Sequence, residues 1–423
     1  MEYRRRVVDD ELDELMTEIA AVAIEGPRAV GKTETALQRA ATVYRLDSPA
    51  VQSIIRADLE RTVAGTRPVL LDEWQFIPET WDAVRRAVDG DRSPGQFLLT
   101  GSAAPRNPPT HTGAGRIVSL RMRPMGLAER GVDVPTVSLR SLLTGKRPAI
   151  EGATSVAADV YAREILASGF PGLRDLSDRA VRAQLDGYLE RVIDRDFEEL
   201  GQSIRNQAAL RRWMRAYASA VSSTASYEKI RDAATAGSDE KPARTTVLRY
   251  IDTLERLWLI DPVPAWTPTR NDLSRLSLAP KHQLADAALA ARLRGATIET
   301  LLEGTTDRPL APRDATLFGA LFESLVTLDV RTHAQAAEAK VSHFRTRNGD
   351  HEIDLIVEGS DQRVLAIEVK LTQAVRDEDV RHLQWLGERI GPDLLDAVVI
   401  TTGPDAYRRK DGIAVVPAAL LGE

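Results

Sequence analysis

Eight consecutive residues, Gly26-Pro27-Arg28-Ala29-Val30-Gly31-Lys32-Thr33, fit the spacing G-x-x-x-x-G-K-[ST] in full. Phosphate binding needs this spacing. The glycines let backbone N–H groups curl around an anion, and the following helix points its positive N-terminus at it. Lys32 is then placed to neutralise β/γ-phosphate charge and the Thr33 hydroxyl to ligate Mg²⁺, with Glu34 the next residue of the set. A second element, Val69-Leu70-Leu71-Asp72-Glu73, reads as an apolar strand ending in two carboxylates. Asp72 suits the magnesium side of a P-loop site, and Glu73, one residue on, suits polarisation of an attacking water as general base. In Phe97-Leu98-Leu99-Thr100-Gly101-Ser102 a third strand ends in hydroxyls. The strand is expected between the P-loop strand and the Asp-Glu strand, where Thr100 or Ser102 could sense a γ-phosphate. Gly113-Ala114-Gly115-Arg116 puts an arginine on a glycine loop, an arrangement suited to delivering charge to a transferring phosphoryl group. Nearby His111 could touch nucleotide, though a surface role fits it better.

A different chemistry is written near the C-terminus. Glu352-Ile353-Asp354 followed by Ile367-Glu368-Val369-Lys370 resembles the D…E-x-K signature of restriction-endonuclease-like nucleases. The period of two sends Glu368 and Lys370 to one face of a strand and Ile367 and Val369 to the other. Asp354 and Glu368 would offer hard oxygen ligands to Mg²⁺, and Lys370 would orient or deprotonate a water for attack on phosphate. The same resemblance implies an extra acid on the preceding helix, Glu323. An exposed strand face carrying Glu and Lys is the plainer alternative.

The elements that must position these residues follow from the apolar patterning. Short β-rich runs (Ala21 to Ile24, Val43 to Leu46, Val69 to Leu71, Phe97 to Leu99, Ile117 to Leu120) alternate with helical patterns up to about residue 130. Such alternation predicts a parallel sheet covered by helices, interrupted by a Pro/Gly-rich loop from Pro105 to Gly115. From about 158 to 295 the pattern is almost wholly helical, with Tyr188, Val192, Asp196 and Leu200 on one long stretch and an inter-helix loop at Ala234 to Lys241. Within it, residues from about 202 to 265 read as a winged helix. Its last helix buries Val247, Ile251, Leu254 and Trp258 and leaves Arg244, Thr245, Arg249 and Arg256 off that stripe. After 313 the order is helix (Leu317, Leu321, Leu325, Leu328), three strands, helix and strand.

The chain has 423 residues, more than one hydrophobic core normally spans. Its 43% apolar and 28% charged content is that of a folded protein, not a disordered tail, a fibre or a membrane bundle. Zero cysteines exclude disulfides, Cys-based zinc, iron–sulfur clusters and a thiol nucleophile. Arg4, Arg5 and Arg6 are followed by acids where a signal peptide needs an apolar core, so a cytoplasmic protein without membrane contact is expected. The net charge of -6 exerts no general pull on nucleic acid. Between 202 and 260, however, ten basic residues face six acidic ones, whereas residues 314 to 423 hold 12 against 19. Contact with double-stranded DNA is therefore credible only in the middle region.

Taken together, Asp72-Glu73-Trp74-Gln75, Trp81 to Arg86, Leu99 to Ser102, His111 to Arg116 and Met122-Arg123-Pro124-Met125 resemble a family of bacterial AAA+-like ATPases fused to a C-terminal domain of unknown function. The resemblance extends to Ser168-Gly169-Phe170-Pro171-Gly172, Tyr188-Leu189, Arg195-Asp196 and Ala279-Pro280-Lys281-His282 with Asp286. It implies Mg-ATP binding and makes Arg116 an arginine-finger candidate, in cis or, within a homo-oligomer, in trans. The expected fold class is α/β. It comprises an AAA+-type P-loop sheet over 1–145, a helical region over 150–300 with the winged helix, and a restriction-endonuclease-like domain over 313–423. The expected function is ATP hydrolysis coupled to a DNA-acting C-terminal half. The alternative is an ATP-switched binding protein whose nuclease-like domain is inactive.

Overall fold

A computed structural model describes residues 3–102, 113–202, 204, 206–235, 241–268, 278–302, 314–346 and 348–423. His111 and most of the Pro105 to Gly115 loop lie outside the described residues, as does most of the Ala234 to Lys241 loop.

The N-terminal part begins with helix α1 (Val7–Glu18), then alternates β1 (Ala21–Glu25), α2 (Lys32–Leu37), β2 (Thr42–Arg45), α3 (Pro49–Ala57), β3 (Val69–Asp72), α4 (Glu79–Gly90), β4 (Phe97–Gly101) and β5 (Ile117–Arg121). All five strands are parallel, in the order β2-β3-β4-β1-β5. β1, β3 and β4 are apolar and fully covered over most of their length, as strands packed by helices on both faces must be. β4 does separate β1 from β3, as the motif order required. Short strands β6 (Val137–Ser138) and β7 (Gly152–Ala153) lead out of this region.

The helical region contains α5 (Ala158–Ala167), α6 (Asp178–Arg191), α7 (Gln207–Ser219), α8 (Tyr227–Thr235), α9 (Arg244–Arg256) and α10 (Ala287–Arg294), besides shorter turns. The stretch expected to run evenly through Tyr188, Val192, Asp196 and Leu200 instead passes into a π-helical turn at Val192–Asp196. Such turns concentrate at functional positions. α9 buries Val247, Ile251 and Leu254 as expected, and Tyr250 as well. Trp258 lies beyond the helix end with φ of 60°, under the Arg121 guanidinium at 4.5 Å, so it does not extend the stripe. Residues 259–265 and 281–285 then form an antiparallel ribbon through Ile260 with Leu284 and Val263 with Lys281. Rather than standing free as a wing, the ribbon continues onto the C-terminal sheet: Trp266 N–H donates to His343 O and His343 N–H to Pro264 O.

The C-terminal region runs α11 (Asp314–Ala336), β8 (Lys340–Arg345), β9 (Glu352–Glu358), β10 (Val364–Lys370), α12 (Asp377–Ile390), β11 (Leu394–Thr401), β12 (Asp405–Arg408), β13 (Ala414–Pro417) and β14 (Leu421–Gly422). The helix, three strands, helix and strand are those expected, but β12 and β13 widen the sheet to the order β7-β12-β13-β11-β10-β9-β8. Its outermost strand, β7, comes from residues 152–153, and β14 pairs with β6. The regions are therefore interleaved. One core cluster runs from Val8 on α1 through Trp213 and Phe322 to Leu421.

Asp286 joins two segments of the helical region. It caps α10 by accepting from Ala288 N–H at 2.7 Å, and it accepts from Gly169 N–H at 2.6 Å and the Ser168 hydroxyl at 3.1 Å. Its removal would leave these donors buried without a partner. Asp286→Ala should lower the free energy of unfolding by about 3 kcal/mol, against under about 1 kcal/mol for Asp405→Ala at an exposed position, measured by urea denaturation.

Candidate functional site

The P-loop leaves the carboxyl end of β1 and enters α2 through backbone that L-residues adopt poorly. Gly26 has φ of 153° and Gly31 φ of 103°. A Cβ on Gly26 would stand 2.1 Å from the Met122 carbonyl oxygen, so the close approach of β5 admits no side chain there. Around the loop lies a cleft of about 790 Å³ that includes Ala29, Gly31, Lys32, Thr33, Glu34 and Glu73 in its lining. Pro27 and Val30 are buried in the loop itself, Val30 in the hydrophobic core.

Register brings the remaining groups together. Asp72 stands opposite Thr100, and Thr100 opposite Ile24, two residues before the first P-loop glycine. The hydroxyls of Thr33 and Thr100 both donate to Asp72 Oδ1, at 2.7 and 2.6 Å. Lys32 is buried, and its ammonium donates to Gly26 O at 2.9 Å and Pro27 O at 2.7 Å. Burial pulls its pKa down to about 8, against the opposing charge of Glu73. Glu73 has φ of 56°, an uncommon conformation for a non-glycine residue, and its carboxylate accepts from the Ser102 hydroxyl at 3.3 Å and from Gln75 Nε2. A loop of backbone N–H groups, a buried ammonium and a hydroxyl–carboxylate pair form a donor set that fits a nucleotide triphosphate with Mg²⁺ held by Thr33 and Asp72.

Arg28 turns away from this pocket. Its guanidinium pairs with Asp196 Oδ1 at 2.7 Å and Glu199 Oε2 at 2.5 Å, tying the loop to the π-helical turn. Burial raises the Asp196 carboxyl to about 6, with Arg28 opposing. Arg116 is not brought to the phosphate loop of its own chain. It precedes Ile117, which pairs with Ala21 at the opposite end of β1, about 16 Å along the strands, and it pairs with Asp89 at 2.8 Å. Parallel register puts the start of β5 at the end of the sheet away from the loop. Sequence reasoning also passed over Arg6, taken only as part of a basic start. It pairs with Glu129 at 2.9 Å and donates to Val30 O at 2.8 Å, holding the P-loop from below. Nothing local marks Arg6, because its partner is 123 residues away.

The C-terminal candidates converge as well. Glu323 on α11, Asp354 on β9, and Glu368 and Lys370 on β10 share one cluster. Lys370 Nζ pairs with Glu368 Oε2 at 2.7 Å, and Asp354 Oδ2 accepts from Val369 N–H at 2.9 Å. Glu368 is only 2% exposed, so the solvated-face alternative fails for it. The residue that the sequence reading missed is Lys281, whose ammonium lies 2.8 Å from Glu323 Oε1 and 3.0 Å from Asp354 Oδ1. Its only sequence signal was the Ala279-Pro280-Lys281-His282 run. With the ammonium there, the expected Mg²⁺ ligands do not fit a metal. Among the described residues, no three His, Asp or Glu side chains are arranged to hold one.

The five-stranded sheet, the loop and Asp72 define the N-terminal region as a P-loop, ATPase-like domain. Residues 19–130 match the family described as "AAA domain", and 158–300 and 318–421 match two domains of unknown function, DUF8612 and DUF4143. Two proteins described as uncharacterized, from Mycobacterium bovis and Mycobacterium tuberculosis, are each 26% identical over 403 residues, covering 94% of this chain and 80% of each relative. A Walker-type ATPase of Pyrococcus abyssi aligns with a TM-score of 0.39 and 15% identity, over 68% of this chain and 94% of that one. Among the described residues, no helix is long and apolar enough to cross a membrane.

Phosphates beside Lys32 would favour its charged form, so nucleotide binding above pH 8 must take up a proton. ATP affinity should therefore be constant below about pH 7 and fall as pH rises past about 8. Lys32→Arg, which stays charged, should lose that fall, as read by fluorescent-nucleotide titration across pH 6.5 to about 9.5.

Proposed function

We propose that this chain is an Mg-ATP-dependent ATPase whose hydrolysis is coupled to its C-terminal half, with double-stranded DNA as the target of the middle region. The observation that carries the ATPase reading is the convergence of the Thr33 and Thr100 hydroxyls on Asp72 beside buried Lys32. When bound, Mg²⁺ supplies positive charge to the β- and γ-phosphate oxygens. Gly26 to Thr33 cradle the phosphates through backbone N–H groups and Lys32 neutralises them. Glu73 takes the proton of the attacking water, held in place by Ser102 and Gln75. Thr100, at the end of the strand between β1 and β3, reports the γ-phosphate to Asp72. Arg116, half-buried and remote from its own loop, acts in trans within a homo-oligomer.

For DNA, support comes from the three helices α7, α8 and α9 followed by the ribbon, the element order of a winged helix, and from exposed Arg244, Thr245 and Arg249 on α9. Charge favours this face over the acidic C-terminal region. A second reading, a switch whose nuclease-like region does not cut, is favoured by one observation: Lys281 stands among the carboxylates that cleavage would need for metal.

Phosphate release by the purified chain tests the ATPase. Lys32→Ala should abolish turnover, and Glu73→Gln should lower it by about 100-fold or more while nucleotide binding persists. Wild-type turnover no faster than that of Lys32→Ala overturns the reading. Double-stranded DNA should stimulate turnover, and Arg244→Ala with Arg249→Ala should remove the stimulation and leave basal turnover unchanged. A rate indifferent to DNA would refute the DNA target and leave the ATPase standing.

A further inference from the structure

Lysine is almost never fully buried unless it is paired. Lys281 has 0% exposure, and its backbone is fixed by two hydrogen bonds of 2.9 Å with Val263 across the ribbon. The side chain leaves the ribbon and crosses into the C-terminal region. There its ammonium meets Glu323 Oε1 at 2.8 Å, Asp354 Oδ1 at 3.0 Å and Glu352 Oε1 at 3.8 Å. These carboxylates come from α11 and β9, so no short segment of chain explains their meeting. Although burial alone would lower it, Asp354 and Glu323 hold the Lys281 ammonium above its ordinary value. With Lys370 on Glu368, the cluster sets two ammoniums against the three acids Glu323, Asp354 and Glu368, so it is short of positive charge.

An independent feature indicates the same shortage. Glu368 faces Asp354 from β10. Lys370 satisfies its Oε2, but its Oε1 is buried beside the Asp354 carboxylate and no donor reaches it among the described residues. A buried carboxylate oxygen left in this state is costly unless a cation or donor reaches it. Hard carboxylate oxygens from α11 and β9 around the Lys281 ammonium, with Glu368 of β10 beside Asp354, are the ligand type of Mg²⁺ and Mn²⁺. An ammonium offers three donors at about 2.8 Å, whereas Mg²⁺ requires oxygens at about 2.1 Å. The two occupants exclude each other, because both need the space between Glu323 and Asp354.

We propose that this cluster is a divalent-cation site in which the Lys281 ammonium, carried in on the ribbon, stands in the metal's place. The wild-type chain therefore binds no divalent ion through Asp354, and removing the lysine charge uncovers the site. This inference is independent of ATP hydrolysis, since none of its residues touches the P-loop.

Mn²⁺ titration of the metal-stripped, nucleotide-free full-length protein, with free Mn²⁺ read by electron paramagnetic resonance, tests it. Lys281→Ala and Lys281→Gln should each bind one more Mn²⁺ per chain than the wild type. The added ion should be lost when Asp354→Asn is combined with either, a comparison that cancels any ion held at Asp72. Thermal unfolding gives a second readout: in EDTA both variants should melt below the wild type, and Mn²⁺ or Mg²⁺, but not Na⁺ at equal ionic strength, should restore them. Folded variants that bind no more Mn²⁺ than the wild type overturn the proposal. A third comparison needs only the wild-type lysine. Asp354→Asn alone should leave Mn²⁺ stoichiometry unchanged, and a loss of bound Mn²⁺, or of Mn²⁺-dependent DNA cleavage, in that variant refutes it.

Discussion

Asp261 is the charge around which the three regions are held together. Its carboxylate lies 2.8 Å from Arg121, 3.5 Å from Arg123 and 2.8 Å from Arg331. Against the burial that would raise it, these guanidiniums hold its carboxyl below the usual carboxylate range. Breaking such a buried cluster by removing one partner costs far more than the cluster adds, because the remaining charges stay out of water. The contacts therefore bind position more than they add stability. Arg121 ends β5 and Arg123 follows it, Arg331 is on α11, and Asp261 is in the ribbon. The ATPase-like sheet, the helical region and the C-terminal region all meet at one carboxylate.

From that point the geometry runs in two directions. Towards the nucleotide, β5 lies beside β1, and the Met122 carbonyl just beyond its end sets the clearance that forces glycine at position 26. Away from it, Asp261 N–H donates to Gln283 O across the ribbon, two residues from Lys281. The residue that hinders metal in the C-terminal cluster is thus held by the same short ribbon that touches the last strand of the ATPase-like sheet. Arg28 makes a second link, from the P-loop to the π-helical turn through Asp196. Both links use buried or half-buried charge, which tolerates little displacement before a partner is lost.

Much of the N-terminal site was legible in the sequence because its logic is local. Gly26 to Thr33 carry their function in their own backbone, and Asp72 with Glu73 announces itself as a carboxylate pair ending an apolar run. The five strand runs appear within a residue or two of where they were read, since strands buried on both faces need continuous apolar stretches. Glu323, Asp354, Glu368 and Lys370 were also legible, two of them by period-two spacing, and the fold does gather them. Small strands such as β7 and β14 were not. Two residues carry no periodic signal, and their pairing partners lie hundreds of positions away.

The phosphate loop, its acidic partner, the alternation of strands and helices, and the identity of the C-terminal carboxylates are thus written in the order of residues. All of these depend on the residue and its near neighbours. What surrounds them comes from packing. It set Arg116 at the far edge of the sheet, turned Arg28 to Asp196, and drove the Lys281 ammonium between Glu323 and Asp354. The physical reason is that the state of a buried charge is fixed by whichever opposite charge the fold delivers within about 3 Å, and that neighbour is named by packing, not by position in the chain.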